Sequence, residues 1–571
     1  MTSSLHTKII NVVGKKNFLI SEKEKTPYTT GWRTTPGDCE FVVLPGSLSN
    51  MWTVLKLCVE NNKYILMQAA NTSLTGGSTP NGKYDQGLVI INTTKLKTII
   101  PIKKGNQVLA FPGSTLYDLE KKVKPYNRAP HSEIGSSCIG ASVVGGVCNN
   151  SGGALIKRGP AYTELSLFAS VNNKGKLELH NKLGVELGKS PEDILKNLDN
   201  GNFSEENIKN SNFKASSTDY KSIIKDTNAD TPARYNADKR RLYDASGCSG
   251  KLAVFAVRLD TFEKENEEKT IYYSTNNAED LTRLRKKIIN EIEELPIYAE
   301  YMHNDAYSVS KKYGKDAFYL IYYLGTSCMP FFYKTKSKLE NFFKNSKFFS
   351  NKTLDLILNA FVSILPNQMP KVFDELNKKF KHHLILKCDL KIFDEVLKVS
   401  KNIFNENNKN NLLICNTKAS KKLTLNRFVF AGASARCANI SRNANPDLLP
   451  FDVALKRNDD YWFHDIATDV KKDVLKTLTV GHFFCLVFHR EYVIKKGINN
   501  NVIKDKVLKW FDEIGAKYPA EHNVGHVYEA DDNLRKFYKK LDPCNIFNPG
   551  IGKTSKTINK PAGKIKKINI T

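Results

Sequence analysis

The N-terminal part of the chain alternates between helix-like and strand-like hydrophobic patterns. Apolar residues recur at steps of three and four through Trp52, Leu55 and Val59, which predicts an amphipathic helix with Ser49 as its N-cap. Short apolar runs predict buried strands at 64–67, 88–91 and 108–111. This alternation of helices and strands predicts an α+β fold.

The texture of the chain changes after Asp260. The apolar run Cys248–Leu259 predicts a strand, whereas the charged stretch Glu263–Lys269 predicts a linker. We therefore expect a domain boundary near residue 262. A length of 571 residues is too great for one core and predicts two to four domains.

The composition is typical of a soluble globular protein in a reducing compartment. Apolar residues make up 41% of the chain, and the 11 cysteines are scattered singly without metal-ligand spacing. Residues 1–21 hold no apolar core of signal-peptide length. No apolar run approaches the roughly 20 residues of a spanning helix. These patterns predict a cytoplasmic protein that does not cross a membrane.

A net charge of +27 indicates a polyanionic partner, and part of it reflects a composition rich in Lys and Asn throughout the chain. The Lys-rich segment 330–381 carries ten lysines against four acidic residues, interleaved with phenylalanines such as Phe342 and Phe343. Lysines mixed with aromatic rings suit an anionic lipid surface. A solvated lysine face over an aromatic core would give the same pattern. Nucleic acid is not expected, because no binding motif accompanies the charge.

Two loops rich in Gly, Ser and Asn are the strongest candidates for a binding site. They span 68–80 and 134–153, and neither matches the usual dinucleotide fingerprint. Such loops offer unobstructed backbone N–H groups and small hydroxyls, which a pyrophosphate requires. The sequence therefore predicts a nucleotide cofactor that lies along loops.

These loops resemble those of the vanillyl-alcohol-oxidase (PCMH-type) FAD flavoproteins. The likeness rests on Ala69–Ser73 with Gly77-Ser78, on Ile139–Ser142 with Asn149–Gly153, and on the tail Asp542–Gly550. Several longer phrases further resemble the family of membrane-associated, quinone-linked D-lactate dehydrogenases of bacteria. They are LMQAANTSLTGGST at 66–79, NNSGGALIKRGPAYT at 149–163, DTPARYNA at 230–237, KLAVFAVRLDTF at 251–262, PAEHNVGH at 519–526 and NPGIGKTSK at 548–556.

The resemblance implies FAD bound without a covalent tether. Position by position, it places FAD contacts at Ala69, Ala70, Asn71, Thr72, Ser73, Gly77, Ser78, Gly135, Ser142, Gly152 and Val254. Many relatives have two glycines where this chain has Ala69 and Ala70. Alanine with a positive φ would be strained by about 1 kcal/mol or more, so we do not expect a left-handed backbone there.

The resemblance also implies an organisation around the membrane. The expected segments are an FAD-binding domain (1–262), a first part of an α+β cap domain (263–302), a basic aromatic membrane-docking segment (303–380), a second part of the cap (381–511, with a further docking piece near 418–445) and a C-terminal return to the FAD domain (512–571). It implies a peripheral enzyme on the cytoplasmic face of the bacterial inner membrane. D-lactate is then the expected substrate, and membrane quinone the expected acceptor.

Oxidation of a 2-hydroxy acid needs a base for the hydroxyl proton and a cation for the carboxylate. The chain has only 11 histidines, and His482, His489, His522 and His526 lie close together with Glu521. The resemblance implies catalytic roles for His482, His489, Glu521 and His522. We expect the carboxylate clamp at Arg427 or Arg436, since guanidinium suits a carboxylate, although either could face lipid phosphates or solvent.

In several relatives, two histidines and the Glu hold a divalent metal. The relatives have a Gly-Asp-Gly-Asn turn between the histidines, whereas this chain has Phe484-Cys485-Leu486-Val487. Residues seven apart on an uninterrupted strand point to opposite faces. Both histidines can therefore meet one metal ion only if the strand bulges or turns.

Three functions remain open on the sequence. FAD-dependent oxidation of D-lactate with transfer to quinone is the leading hypothesis. Oxidation of another 2-hydroxy acid would keep the fold and change the substrate. A basic binding protein without flavin would explain the charge but leave the two loops without a role.

Overall fold

The computed structural model describes residues 2–31, 36–131, 140–210, 212–264, 267–329, 331–332, 335–336, 339, 352–404 and 409–559. The helices are Thr2–Val13 (α1), Glu22–Thr29 (α2), Leu48–Glu60 (α3), Leu116–Val123 (α4), Val143–Cys148 (α5), Pro191–Asn200 (α6), Tyr220–Lys225 (α7), Ala278–Glu291 (α8), Asn304–Tyr313 (α9), Lys315–Leu324 (α10), Thr353–Ile364 (α11), Lys371–Lys379 (α12), Leu390–Lys401 (α13), Thr417–Phe428 (α14), Phe430–Ile440 (α15), Thr468–Lys471 (α16), Asn500–Glu513 (α17) and Asp532–Leu541 (α18).

The strands fall into three main sheets and one small pair. They are Phe18–Leu19 (β1), Phe41–Val43 (β2), Tyr64–Gln68 (β3), Leu88–Asn92 (β4), Ile99–Ile102 (β5), Gln107–Ala110 (β6), Arg128–Ala129 (β7), Ser166–Val171 (β8), Leu177–Asn181 (β9), Ala253–Asp260 (β10), Phe262–Glu263 (β11), Glu268–Thr275 (β12), Tyr298–His303 (β13), His382–Asp389 (β14), Asn410–Cys415 (β15), Leu449–Ala454 (β16), Val474–His482 (β17) and Val487–Ile494 (β18).

The N-terminal half holds two of the sheets. The first has the order β1-β2-β4-β3, with β2, β4 and β3 parallel. The second is antiparallel, with the order β5-β6-β10-β8-β9. Ile65, Leu109 and Phe255 pack in one core that joins both sheets. The predicted alternation of elements is therefore present. It places the first Gly-rich loop after β3, and the described part of the second loop (140–153) encloses α5.

The N-cap of helix α3 lies two residues before the predicted one. Ser47 is the cap, because its side chain accepts a hydrogen bond from the Asn50 amide. Ser49 instead donates its hydroxyl to Asp199. The prediction of Ser49 was therefore wrong, since serines two residues apart offer the same capping oxygen and only the backbone decides between them.

The third sheet is the largest and follows residue 267. It has the order β15-β12-β14-β13-β17-β18-β16, and every pair in it is antiparallel. Alternate residues of β12 enter different cores, so Ile271 packs with α8 and α13 while Tyr272 packs with α9, α12, α14 and α15. We call this layered unit the cap sheet with its helices.

A tight turn interrupts the most apolar run of the chain. Strand β17 ends at His482, residues 483–485 form a 3₁₀ turn, and Leu486 takes φ = 50° before β18 begins. The register then pairs Val480 with His489. The turn thus satisfies the condition under which both histidines can meet.

The end of the chain returns to the first sheet. Ile65 donates its amide to Ile546 at 3.0 Å, and Asn548 donates its amide to Ile65 at 2.8 Å. Lys251, just before β10, donates to Asn545 and to the Phe547 carbonyl. Residues 542–559 therefore close against the N-terminal half. None of the helices in the described ranges is long and apolar enough to span a bilayer.

Candidate active site

The β17–β18 hairpin brings His482 and His489 together. Their ring centroids lie 5.5 Å apart in an edge-to-face arrangement. Strand β13 pairs with β17 so that Glu300 stands opposite His482. The Glu300 carboxylate Oε1 lies 2.6 Å from His482 Nδ1, which leaves Nε2 of that ring to face the rest of the cluster. The cap sheet thus fixes both rings.

Glu521 completes the cluster from a loop near the C-terminus. Asp452 at the end of the sheet accepts hydrogen bonds from the amides of Glu521 (2.6 Å) and His522 (3.1 Å), and so holds this loop in place. Glu521 Oε2 then lies 3.2 Å from His482 Nε2 and 3.7 Å from His489 Nε2. His522 Nδ1 lies 3.0 Å from Asp452 Oδ2. All four predicted catalytic residues therefore meet.

Two arginines extend this cluster into a line of buried charges. Arg234 pairs with Glu521 Oε1 and also donates to the Gly153 carbonyl at 2.7 Å. Arg427 Nε lies 2.9 Å from Glu300 Oε2 at the other end. The order Arg427, Glu300, His482, Glu521, Arg234 alternates cationic and anionic groups, and this alternation lets so many charges be buried together.

The surroundings drive the pKa values of the two hairpin histidines apart. Burial lowers the pKa of His482, but the carboxylates of Glu300 and Glu521 outweigh burial and raise it to about 10. Burial lowers the pKa of His489 to about 4, with the Glu521 charge opposing that change. Burial raises the pKa of Glu521, yet Arg234 and His482 overcome it and hold the pKa well below its usual range. His489 is therefore neutral and Glu521 ionised near pH 7.

The first Gly-rich loop has the free donors that a pyrophosphate needs. Within the described residues, the amides of Asn71, Thr72 and Ser73 donate no hydrogen bond inside the chain. Ser78 donates its hydroxyl to Asn71 Oδ1 at 2.9 Å, and the Gly77 amide donates to Ser73. The left-handed positions are Asn71 (φ 54°) and Gly76 (φ 74°). As expected, Ala69 and Ala70 are not left-handed.

The second loop brings the cofactor region against the histidine cluster. Gly140 has φ = 90°, and a Cβ there would lie 3.8 Å from Ala70 of the first loop. Ser142 caps α5 by accepting from the Gly145 amide at 3.0 Å. A Cβ on Gly152 would collide with the Glu521 carboxylate and with Arg234. Glycine at 152 therefore lets the loop pass directly beside the charged line.

The remaining cofactor residues lie around these loops. Val254 in β10 is buried with Val143, Val144 and Val147 of α5, and so supports the second loop from beneath. Asn523 packs against Gly77 and donates to Asn149 at 2.6 Å, which links the two loops. Gly135 lies outside the described residues. The loops fit a dinucleotide cofactor because they combine free amides, small side chains and close backbone approach.

The cluster also fits a divalent metal ion. One ligand atom from each of His482, His489 and Glu521 falls within 4.8 Å of the others. Two imidazoles and one carboxylate form a common ligand set for such ions. Glu300 on the far nitrogen of His482 is the carboxylate partner that metal-ligating histidines usually have.

The two arginines predicted to clamp substrate have different positions. Arg427 is close to the site, but it pairs with Glu300. Arg436 is buried elsewhere, where it donates to both carboxylate oxygens of Asp316 and to the Tyr313 carbonyl. Arg436 does not fit the predicted clamp, because its guanidinium cross-links helices α9, α10 and α15 of the cap.

Sequence patterns missed three functional residues. Glu300 and Arg234 join the site from positions 182 and 287 residues away from their partners in the chain. A carboxylate inside the apolar run Tyr298–His303 was the available signal for Glu300, and one opening the run 452–455 was the signal for Asp452. Arg234 lies within the segment DTPARYNA at 230–237, but nothing in that segment distinguished it as a site residue.

Comparison with known proteins agrees with this site. A family model described as "D-lactate dehydrogenase, membrane binding" matches residues 270–559, and one described as "FAD binding domain" matches residues 39–178. The chain is 46% identical over 552 residues to the quinone-dependent D-lactate dehydrogenase of Escherichia coli K12, covering 96% of each chain. The chain belongs to the quinone-dependent D-lactate dehydrogenase family. It is also 42% identical to the enzyme of that name from Haemophilus influenzae, covering 97% and 98% of the two chains.

Solved structures confirm the fold of this family member. p-Cresol methylhydroxylase superposes with a TM-score of 0.58 at 13% identity, covering 97% of both chains. Alkyldihydroxyacetonephosphate synthase superposes with a TM-score of 0.55 at 11% identity, covering 96% of this chain and 84% of that one. The predicted α+β fold of the vanillyl-alcohol-oxidase type is confirmed, as are the predicted family and FAD as cofactor.

Proposed function

We propose that this chain oxidises D-lactate to pyruvate with FAD and passes the electrons to membrane quinone. The observation that carries the proposal is the packing of Gly152, in the cofactor loop, against Glu521 of the histidine cluster. A substrate held at this cluster would therefore lie beside the flavin. The family membership supports the substrate and the acceptor.

Bound FAD supplies the hydride acceptor for the substrate Cα–H bond. We propose that His522 takes the hydroxyl proton. Asp452 fixes this ring through Nδ1 at 3.0 Å, as a carboxylate orients a general base. His522 is also the most exposed histidine of the cluster, with its side chain 34% accessible against 10% for His482.

We propose that His482, His489 and Glu521 hold a divalent metal ion beside the substrate. Such an ion would polarise the substrate oxygens and lower the pKa of the hydroxyl. Glu300 would orient His482, and Arg427 would in turn orient Glu300. Elemental analysis of the purified protein tests this: an ion lost in His489→Asn but retained in His526→Asn supports the site.

The deciding experiment is an anaerobic absorbance spectrum of the holoenzyme before and after D-lactate. Bleaching of the flavin by D-lactate and not by L-lactate supports the proposal. A flavin bleached only by another 2-hydroxy acid would assign a different substrate to the same site. A flavin that resists every 2-hydroxy acid would overturn the proposed reaction.

We further propose that the protein docks on an anionic lipid surface at the cytoplasmic face of the inner membrane. The charge of +27 and the family model for membrane binding support this. Four of the ten lysines predicted to dock, Lys334, Lys338, Lys344 and Lys347, lie outside the described residues. Flotation with anionic and neutral vesicles tests the electrostatic part, and equal, salt-insensitive binding to both would contradict it.

A further inference from the structure

Helix α11 exposes an apolar face to solvent. Leu356, Ile357, Phe361 and Ile364 are 50%, 51%, 54% and 79% exposed. Their spacing places them on one side of the helix. Leu354 and Val362 on the other side are buried. We call these four exposed side chains the α11 face.

The neighbouring helix α10 ends in a second exposed apolar segment. Tyr323 is 72% exposed and Leu324 is 65% exposed. Lys315 at the start of α10 donates to the Leu365 carbonyl at 2.8 Å, and Tyr319 donates to the Pro366 carbonyl at 3.2 Å. Helices α10 and α11 are therefore tied together.

Arg436 fixes both helices to the body of the cap. It binds Asp316 of α10 through two donors, and its Nε lies 3.7 Å from Asp355 of α11. Asn439, one turn along α15, donates to Asp355 at 2.7 Å. The α11 face is thus presented on a rigid support.

The partner that fits this face is a lipid bilayer. Twelve residues of helix measure about 18 Å, too short to cross a hydrocarbon core of about 30 Å, so α11 suits a position parallel to the surface. Lys352 directly precedes the helix and Lys371 follows its end by seven residues in the chain, and lysines near an apolar helix favour anionic lipid. A second copy of the chain would bring another charge of +27 against this one.

We propose that α11 lies in the membrane interface with Leu356, Ile357, Phe361 and Ile364 at the acyl-chain boundary. The inference rests on the membrane docking proposed above, and it adds an apolar anchor that salt does not remove. The lysines would bring the enzyme to the surface, and the α11 face would hold it there.

The first test places a fluorophore at the proposed depth. Full-length holoenzyme with Phe361→Trp is mixed with vesicles of phosphatidylglycerol and phosphatidylcholine that carry bromine on the acyl chains. We expect quenching of the added fluorescence relative to the wild type. An unquenched tryptophan on protein that floats with the vesicles would overturn the α11 anchor and leave membrane docking intact. Protein that floats with no vesicle would overturn both.

The second test removes the apolar contact. In about 1 M salt, where the Debye length is about 3 Å, Phe361→Asp should bind these vesicles about tenfold less than the wild type. Phe213→Asp is the matched control, because Phe213 is also 50% exposed but lies in the N-terminal half. Both variants should oxidise D-lactate with a soluble dye at the wild-type rate. Equal flotation of Phe361→Asp and wild type would contradict the anchor.

Discussion

At the scale of single residues, the site depends on alternation of charge. Glu300 and Glu521 each lie between a histidine and an arginine, and both carboxylates are buried. Removing one charged side chain from this line leaves the neighbouring charge buried without its partner, where water solvates it poorly. We therefore expect neutral, isosteric replacements to be the informative ones.

Glu300→Gln should slow flavin reduction by D-lactate about 10- to 100-fold, in line with losses at other carboxylates that orient a ligand histidine. The amide keeps the shape of the side chain but removes the charge that Arg427 and His482 contact. Stopped-flow absorbance measures the rate. Glu268→Gln, in the same sheet, is the control and should react normally; an unchanged rate in Glu300→Gln would remove Glu300 from the site.

Gly152→Ala should impair the reaction because its Cβ would displace Glu521 and Arg234. We expect a drop in flavin reduction of at least about tenfold, the factor that 1.4 kcal/mol of lost transition-state stabilisation gives. Gly432→Ala in α15 has open space around it and should behave as the wild type. A Gly152→Ala enzyme with full activity would show that the loop and the cluster move apart easily.

The residues of the site were only partly predictable. His482, His489 and His522 were found because scarce histidines lie close together in the chain. Arg234 and Glu300 were not found, because their roles arise from contacts between distant segments. No local sequence pattern identifies the partner of a buried charge, because sheet register decides which residues become neighbours.

At the scale of elements, Arg436 joins helices of the cap, so we expect it to affect the stability of the protein and not the binding of substrate. Arg436→Gln leaves the buried Asp316 carboxylate without its cation and should lower the free energy of unfolding by about 3–5 kcal/mol. It should leave flavin reduction by D-lactate unchanged. Denaturant unfolding and stopped-flow rates measure the two effects. A large rise in the KM for D-lactate with unchanged stability would restore Arg436 as the carboxylate clamp.

Strand β14 begins with two buried histidines that make stability depend on pH. Burial lowers the pKa of both His382 and His383 to about 3. His383 Nδ1 lies 3.0 Å from the Ser274 hydroxyl, and Nε2 lies 3.1 Å from the Phe380 carbonyl. As the pH falls, these two histidines therefore take up protons at a higher pH in the unfolded chain than in the folded protein.

We expect the contribution of these two histidines to stability to be full above pH of about 6.5 and to fall below it by about 1.4 kcal/mol per pH unit for each histidine. The loss should continue toward the folded value of about 3. Denaturant midpoints measured from pH 7.5 to 4.5 check this, and His383→Gln should make the fall shallower. The same slope in the variant would assign the acid sensitivity to other groups.

The presence of helices and strands was predicted better than the residues at which they begin and end. The strand at 64–67 is present as β3, and the helix with Trp52 is present as α3. The cap of α3 was misplaced because Ser47 and Ser49 offer the same chemistry. The turn after His482 was not predicted, since Phe483–Cys485 lacks the Gly or Asn that usually marks a turn.

At the scale of the whole molecule, neighbours in space are not neighbours in the chain. The cap sheet places β12 between β15 and β14, and β13 between β14 and β17. Hydrophobic patterns give the strands but not this order, because any strand with two apolar faces can lie in the middle of a sheet. The order matters, because it puts Glu300 opposite His482.

The C-terminal segment should control cofactor retention. Asn548 donates to the carbonyls of Gly77 and Ser249, both at 2.9 Å, and so holds the first cofactor loop. Asn548→Ala should release FAD about tenfold more readily, the factor given by about 1.4 kcal/mol of lost hydrogen bonding. Gel filtration and flavin absorbance measure retention. Asn559→Ala, whose side chain donates only to Pro543 in the described contacts, is the control.

The closure of residues 542–559 against β3 has a consequence for biosynthesis. A ribosome makes Gly77 and its loop long before Asn548, which braces this loop and lies 471 residues further along the chain. The nascent chain should therefore fold its cap before it can hold flavin firmly. Cofactor loading should then wait for residues 542–559, and ribosome-bound chains stalled before residue 542 should be colourless.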